Sequence, residues 1–362
     1  MKKLVVAFVA SCVLLAAAGH AADPTPTHAQ LTVRPFAVLP ADFRHPESMA
    51  SDPASGTLYV GSFDAREPAA SRTNQLLRLS PDGKVLGRKS LGATPLTGLA
   101  FFEGKLYFLN FGASKLQSID GAFDDASPIR DIAAFTALTP PAPAERKIAN
   151  PDGSADTIHY GASGFPALNG LVFARNGDAY VSDSFQGAIY RIANAARCTD
   201  CKVEVVSRDP LLTTTGALPF GANGLAFDAD ERHLYINNAG DNRVLRMDVA
   251  TRAVDVLAES IHGADGLLFH DGLLWVSANQ ADAVVALDAN GRERARASGF
   301  AGINPDGTPN GLLFPAATAV VGDRMIVANL AMPITAAKGD EWEEDVRRWN
   351  LVQFGLPAAT GR

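Results

Sequence analysis

The run ANGLAFDADERHLYINNAGDNRVLRMDVATRAVDVL, Ala222 to Leu257, packs short strands and tight turns into one compact unit. Gly224-Leu225-Ala226-Phe227 reads as a first strand, and Asp228-Ala229-Asp230-Glu231 as a turn. His233-Leu234-Tyr235-Ile236 makes a second strand, and Asn238-Ala239-Gly240-Asp241 turns again. Arg243 to Met247 alternates as a third strand, and Ala253 to Leu257 forms a fourth. Each run is rich in aliphatic and aromatic residues and bounded by turn formers, the pattern of an antiparallel meander.

The head of this unit recurs along the chain. Pro46-Glu47-Ser48-Met49, Leu96-Thr97-Gly98-Leu99, Leu168-Asn169-Gly170-Leu171, Ala222-Asn223-Gly224-Leu225, Ala264-Asp265-Gly266-Leu267 and Pro309-Asn310-Gly311-Leu312 share one register. All but one of the intervals fall near the roughly 40–50 residues that a four-stranded propeller blade occupies. The exception, between Thr97 and Asn169, contains a Pro-, Gly- and charge-rich stretch at about residues 140–166 that reads as an inserted loop. The pattern predicts an all-β, six-bladed β-propeller. Blade six takes an inner strand near Leu312-Leu313-Phe314 and is completed by Leu351 to Phe354 and by Leu31 to Phe36, so that both chain ends close the ring and no sheet edge is left open. Glu341 to Trp349 is charged with interspersed Trp and Val, which predicts a short surface helix.

Residues 1–22 read as a secretory signal: Lys2 and Lys3, then apolar Leu4 to Ala18, then the small-x-small site Gly19-His20-Ala21. The expected mature protein is residues 23–362, a single propeller, periplasmic or secreted and without a membrane span. Lys and Arg number 32 against 39 Asp and Glu, and losing Lys2 and Lys3 makes the balance more acidic still. With no basic cluster, nucleic acid is excluded as a partner. Cys12 leaves with the leader. Cys198 and Cys201 remain; they are followed by Lys202 rather than the His of a haem-attachment site, and lack a second Cys pair for zinc. In an oxidising compartment they are expected to form a disulfide stapling a loop.

In a propeller the first strand of each blade lines the central channel, so one repeated position becomes a ring at the channel mouth. Glu47, Asn169, Asn223 and Asp265 supply that ring with two carboxylates and two amide oxygens. Hard oxygen donors suit Ca²⁺, and two negative charges match a divalent cation. Positions left for water or substrate make such an ion catalytically useful. Asp265, or His262 three residues before it, is the candidate base for activating water; His45, two residues before Glu47, is a further histidine near the mouth. Thr97, Asn169, Asn310 and His159 (in the insertion, beside Tyr160) are candidate substrate contacts. There is no Gly-x-Ser-x-Gly elbow for nucleophilic catalysis.

The succession Asn-Gly-Leu, Asn-Gly-Leu, Asp-Gly-Leu, with an acidic residue in the first blade, resembles the senescence-marker-protein/gluconolactonase/luciferin-regenerating-enzyme group. Paraoxonases and diisopropyl-fluorophosphatase are related six-bladed calcium-dependent hydrolases. The resemblance covers essentially the whole mature chain and implies a lactonase or esterase acting on a small-molecule lactone or ester. It also implies Glu47, Asn169, Asn223 and Asp265 around one Ca²⁺, with Asn169's equivalent touching substrate in some members. Two departures stand out. Sugar-lactone members carry an Arg two residues before the third-blade Asn, where this chain has Ala167. Their first-blade Glu-Gly-Pro is here Glu47-Ser48-Met49. A non-catalytic binding propeller with a structural ion, and a lyase acting on a cyclic ester, are the competing readings.

Overall fold

A computed structural model describes residues 28–140, 145–159, 164–216, 218–335 and 338–357. Residues 1–22, which read as a secretory signal, and Tyr160 lie outside them. Six four-stranded antiparallel meanders stand around a common axis. Blade one is Pro46–Ser51, Leu58–Ser62, Asn74–Leu79 and Val85–Gly92. Blade two is Leu96–Phe102, Lys105–Asn110, Lys115–Asp120 and Arg130–Ala134, and blade three Leu168–Phe173, Ala179–Asp183, Ala188–Ile192 and Glu204–Ser207. Blade four is Ala222–Phe227, His233–Asn238, Arg243–Asp248 and Val254–Glu259; blade five is Ala264–His270, Leu273–Ala278, Ala283–Leu287 and Glu293–Ser298. Blade six combines Pro315–Val321, Arg324–Asn329 and Asn350–Gly355 with the N-terminal Arg34–Val38 as its outer strand. Each inner strand packs on the inner strand of the next blade, and the sixth packs on the first, which closes the ring. Ala29–Leu31 adds a parallel fifth strand to blade five.

Burial grades from axis to rim. The second strands read almost continuously apolar, as in Leu58-Tyr59-Val60 or Leu274-Trp275-Val276, because both of their faces are covered by neighbouring blades. The outer strands are more open: in Val85–Gly92 no residue is buried, and Val85 and Leu86 are exposed. One aromatic contact repeats between blades. Tyr59, Tyr107, Tyr180 and Tyr235 of the second strands meet Phe101, Phe173, Phe227 and Phe269 of the following inner strands, with ring centroids 4.5–6.4 Å apart. Trp275 meets Phe354 of blade six at 5.7 Å. Such pairs add about 0.5–1.5 kcal/mol each beyond the area they bury.

Three expectations are corrected. The inner strand of blade six is Pro315–Val321, not Leu312 to Phe314. The insertion contains a hairpin, Glu145–Ala149 with Ala155–His159, turned by Asn150-Pro151-Asp152-Gly153. The same turn sequence, Asn304-Pro305-Asp306-Gly307, turns a second extra hairpin, Phe300–Ile303 with Pro309–Gly311. Instead of a helix over Glu341 to Trp349 there is one 3₁₀ turn, Trp342–Asp345. Val346 and Trp349 are drawn into the blade-six core, where the Trp349 indole donates to the Leu330 carbonyl at 2.9 Å. Cys198 and Cys201 are bonded in the loop between the third and fourth strands of blade three. The Cys201 amide donates to the Ile132 carbonyl, tying that loop to blade two.

Candidate functional site

The repeated position is a β-bulge in every blade. Leu96 pairs with Asn110 and Leu99 with Phe108, so Thr97 and Gly98 together oppose a single residue. Asn169-Gly170, Asn223-Gly224, Asp265-Gly266 and Ala316-Ala317 sit in equivalent irregularities, and Glu47 lies in a further one between Pro46 and Ser48. A bulge lets the strand re-aim one side chain, here toward the axis. The glycines have a spatial reason. A Cβ on Gly98, Gly170, Gly224 or Gly266 would stand 2.2–2.5 Å from the carbonyl oxygen of Asn169, Asn223, Asp265 or Ala316, the ring residue of the next blade. Only hydrogen fits between adjacent inner strands there.

The ring that results is Glu47, Thr97, Asn169, Asn223, Asp265 and Ala316. Asn310 is not part of it: its Asn-Gly belongs to the extra hairpin, and its side chain is exposed on another face beside Arg34 and Ser298. Thr97 is in the ring, but its hydroxyl donates to the Leu168 carbonyl at 2.7 Å, a tie between blades two and three.

Two cavities meet at the ring. One runs down the axis between the inner strands; the other opens at the mouth, and Glu47, Asn169, Asn223 and Asp265 border both. Asn169, Asn223 and Asp265 are buried, while Glu47 keeps some accessible surface. The electrostatics are unusual for a buried site. Burial, reinforced by the negative charge of Asp265, pushes the Glu47 carboxyl well above its ordinary value. Burial pushes Asp265 up to about 7, against hydrogen bonds from the Asn279 and Asn223 side chains. No ion pair with a Lys, Arg or His joins either carboxylate among the described residues. Two facing carboxylates in this setting are costly unless a cation compensates them.

The residues therefore fit a hard divalent cation, with Glu47 and Asp265 as anionic donors and Asn169 and Asn223 as neutral ones. No cluster of three or more His, Cys, Asp or Glu exists among the described residues, so this donor set depends on amide oxygens.

The histidines stand apart. His262 is exposed and borders neither cavity. His45 is buried edge-on against Trp349, 4.7 Å between centroids, with Nδ1 3.2 Å from the Leu330 carbonyl. Burial holds its imidazole down at about 4, so it is neutral at ordinary pH. His159 lies on the exposed insertion hairpin, 3.6 Å from Glu145, and borders neither cavity.

Sequence reasoning missed Asn279, whose Nδ2 donates to Asp265 Oδ2 at 3.1 Å. It follows the second strand of blade five directly, and residues at that position surround the mouth. Asn279→Leu, which removes this donor, is expected to weaken cation binding about 10–100-fold, the usual cost of losing a group that orients a ligand. Calorimetric titration with Ca²⁺ measures it; unchanged affinity would show that Asp265 needs no such support.

No protein-family model matches the chain, and no curated protein matches it. Solved structures do. A calcium-binding protein, regucalcin, from Agrobacterium tumefaciens aligns over 91% of this chain and 96% of its own at 18% identity, TM-score 0.60. A luciferin-regenerating enzyme aligns over 92% and 97% at 14% identity, TM-score 0.57. A gluconolactonase from Xanthomonas campestris aligns over 87% of each chain at 15% identity, TM-score 0.51. At these identities the likeness establishes the six-bladed propeller, and these neighbours are the very group that the repeat motifs resemble.

Proposed function

We propose that the protein is an exported, calcium-dependent hydrolase of a lactone or ester. In this reading residues 1–22 are removed and residues 23–362 form one propeller. The observation that carries it is the pair of carboxylates, Glu47 and Asp265, with no Lys, Arg or His partner among the described residues, converging with two amides where the channel meets the mouth cavity. The fold shared with a calcium-binding regucalcin and a gluconolactonase supports it, as does the Cys198–Cys201 disulfide for export. No helix among the described residues is long and apolar enough to cross a membrane.

When bound, a divalent cation supplies Lewis acidity toward a substrate carbonyl. Glu47 and Asp265 are the sole titratable groups among the described residues that border the mouth cavity, so proton transfer falls to one of them rather than to His262. Asp265, oriented by Asn279, is the better placed. Its carboxylate accepts a proton from the attacking water, whose oxygen adds to the carbonyl carbon. The acyl C–O bond then breaks, and the departing oxygen takes the proton, giving a hydroxy acid from a lactone. The Asn169 and Asn223 amides are placed to orient substrate against the carboxylates.

The test is a pH-stat screen of lactones and aryl or alkyl esters with chelator-stripped and Ca²⁺-restored protein. Turnover should be lost on stripping and return with Ca²⁺, with a hydroxy acid as product. Saturable Ca²⁺ binding without any turnover would favour the binding-propeller reading. An unsaturated acid as product would indicate a lyase.

A further inference from the structure

A second repeated position is the residue that follows the second strand of each blade: Phe63, Phe111, Ser184, Ala239, Asn279 and Leu330, of which Phe63, Ala239, Asn279 and Leu330 line the mouth cavity together with the oxygen ring. Its chemistry is the opposite of the first. Ser184 is buried and donates to the Ala222 carbonyl at 2.7 Å, and Asn279 is turned to Asp265, so the other members present apolar surface. A continuous aromatic file extends it. Phe63 meets Phe111 at 5.2 Å, Phe111 meets Phe165 at 5.5 Å, Phe165 meets Phe185 at 6.2 Å, and Phe185 meets Phe220 at 5.4 Å.

None of these five rings is in the buried core; each is half-buried. The two ends of the file, Phe63 and Phe220, line the mouth cavity, and Leu218, Phe314, Leu330, Met332 and Ile334 complete its apolar wall, with Ile334 43% exposed. Half-exposed aromatics grouped around an opening, rather than scattered singly, mark a binding surface.

The polar supply at the mouth is correspondingly small. Beyond the four candidate cation donors, only Thr97 and Asn279 among the described lining residues carry polar side chains; both already donate to the protein, and the Asn279 Oδ1 is a buried acceptor without a partner. Two residues before Asn169, the buried Ala167 offers no polar side chain. A polyhydroxylated ligand would lose water from more hydroxyls than this lining can partner, a loss that counts strongly against binding.

Resting on the hydrolase reading above, we infer that the site takes lactones or esters bearing an alkyl or aryl substituent and no hydroxyls, the substituent lying against Phe63, Phe220 and the aliphatic wall of the mouth cavity while the acyl group faces the oxygen ring. Sugar lactones are poor ligands. Each methylene added to the substituent, until the apolar wall of the cavity is covered, raises kcat/KM by about three- to four-fold.

Two measurements on the calcium-loaded full-length protein test this. The first compares kcat/KM for δ-lactones carrying no side chain, propyl and pentyl with that for glucono-δ-lactone. The second uses uncleavable analogues, binding a pentyl δ-lactam and gluconolactam by calorimetry to the wild type and to a Phe63→Ser/Phe220→Ser variant. The expected result is a pentyl lactam at least about ten-fold tighter than gluconolactam, with most of that preference erased in the variant. A Ca²⁺ titration of the variant reports whether its ring is intact, and the wild-type comparison stands even if the variant does not fold. Gluconolactam binding as tightly as the pentyl lactam, or neither lactam binding, would overturn the inference. Preference for the pentyl lactam with no turnover of any lactone or ester would uphold this ligand class while sinking the hydrolase reading. Turnover favouring gluconolactone would do the reverse.

Discussion

Asp265→Asn should abolish saturable Ca²⁺ binding and, at the same time, make the cation-free protein more stable. The two effects share one cause. Asp265 is a buried carboxylate facing Glu47 with no cationic partner among the described residues, held by hydrogen bonds from Asn279 and Asn223. Without a cation, that charge is a desolvated liability; replacing such a group with a neutral one of the same volume typically returns about 1–4 kcal/mol. With a cation, the same charge is one of two anionic donors. Losing a group that merely orients a ligand costs about 10–100-fold in affinity, so losing the anionic ligand itself should exceed the upper figure. Thermal melts separate the contributions. In chelator the variant should melt above the wild type. With Ca²⁺ in about thousand-fold excess over its Kd, the wild type should gain about 4 kcal/mol and the variant nothing. A variant that melts lower in chelator, or that binds Ca²⁺ within ten-fold of wild type, would refute the assignment.

Gly170→Ala is the second substitution with a large expected effect, and it works through backbone alone. A Cβ there would stand 2.2 Å from the Asn223 carbonyl oxygen and 3.0 Å from both Leu225 Cγ and Ser182 Oγ. The nearest atom is main chain of the neighbouring inner strand, which cannot step aside as a flexible side chain can. Overpacking of this kind costs about 1–3 kcal/mol in ordinary cores and more where relief is blocked, so about 3 kcal/mol or above is expected. Urea unfolding should show a lowered midpoint with an unchanged slope. Gly355 is the control: a Cβ there meets nothing within 4 Å, so Gly355→Ala should shift stability by less than about 0.5 kcal/mol. Equal effects at the two positions would mean that blade contact at the axis is not what demands glycine.

That demand explains how much of the site was legible from sequence. Asn169-Gly170, Asn223-Gly224 and Asp265-Gly266 stand out because one position must face the axis with oxygen and the next must be free of a Cβ. The same chemistry misled at Asn310-Gly311. There the glycine also lies against a carbonyl, that of Gly299, but across a two-stranded hairpin outside the blades. The true sixth position, Ala316-Ala317, carries neither oxygen nor glycine and so leaves no mark in the sequence.

His262 misled differently: three residues from Asp265 along the chain, it sits beyond the strand start and turns to solvent. Asn279, Phe63 and Phe220 stayed hidden because their place at the mouth depends on where strands and loops end, and strand ends are the least certain part of a sequence reading. The blades themselves were readable, since alternation and turn residues bound nearly every strand from Gly224 to Leu287.

The pairing of Arg34–Val38 with Asn350–Gly355 has a consequence in time as well as in space. Pro35 and Gln353, joined by a hydrogen bond, lie 318 positions apart. A chain emerging from the ribosome can build five meanders from local contacts while Arg34–Val38 waits for Asn350–Gly355. Contacts of such long range form slowly, and until they do the third strand of blade six offers an unpaired edge. The step that finishes the molecule is thus a reunion of distant segments, and premature termination anywhere before Asn350 would leave Arg34–Val38 without its mate.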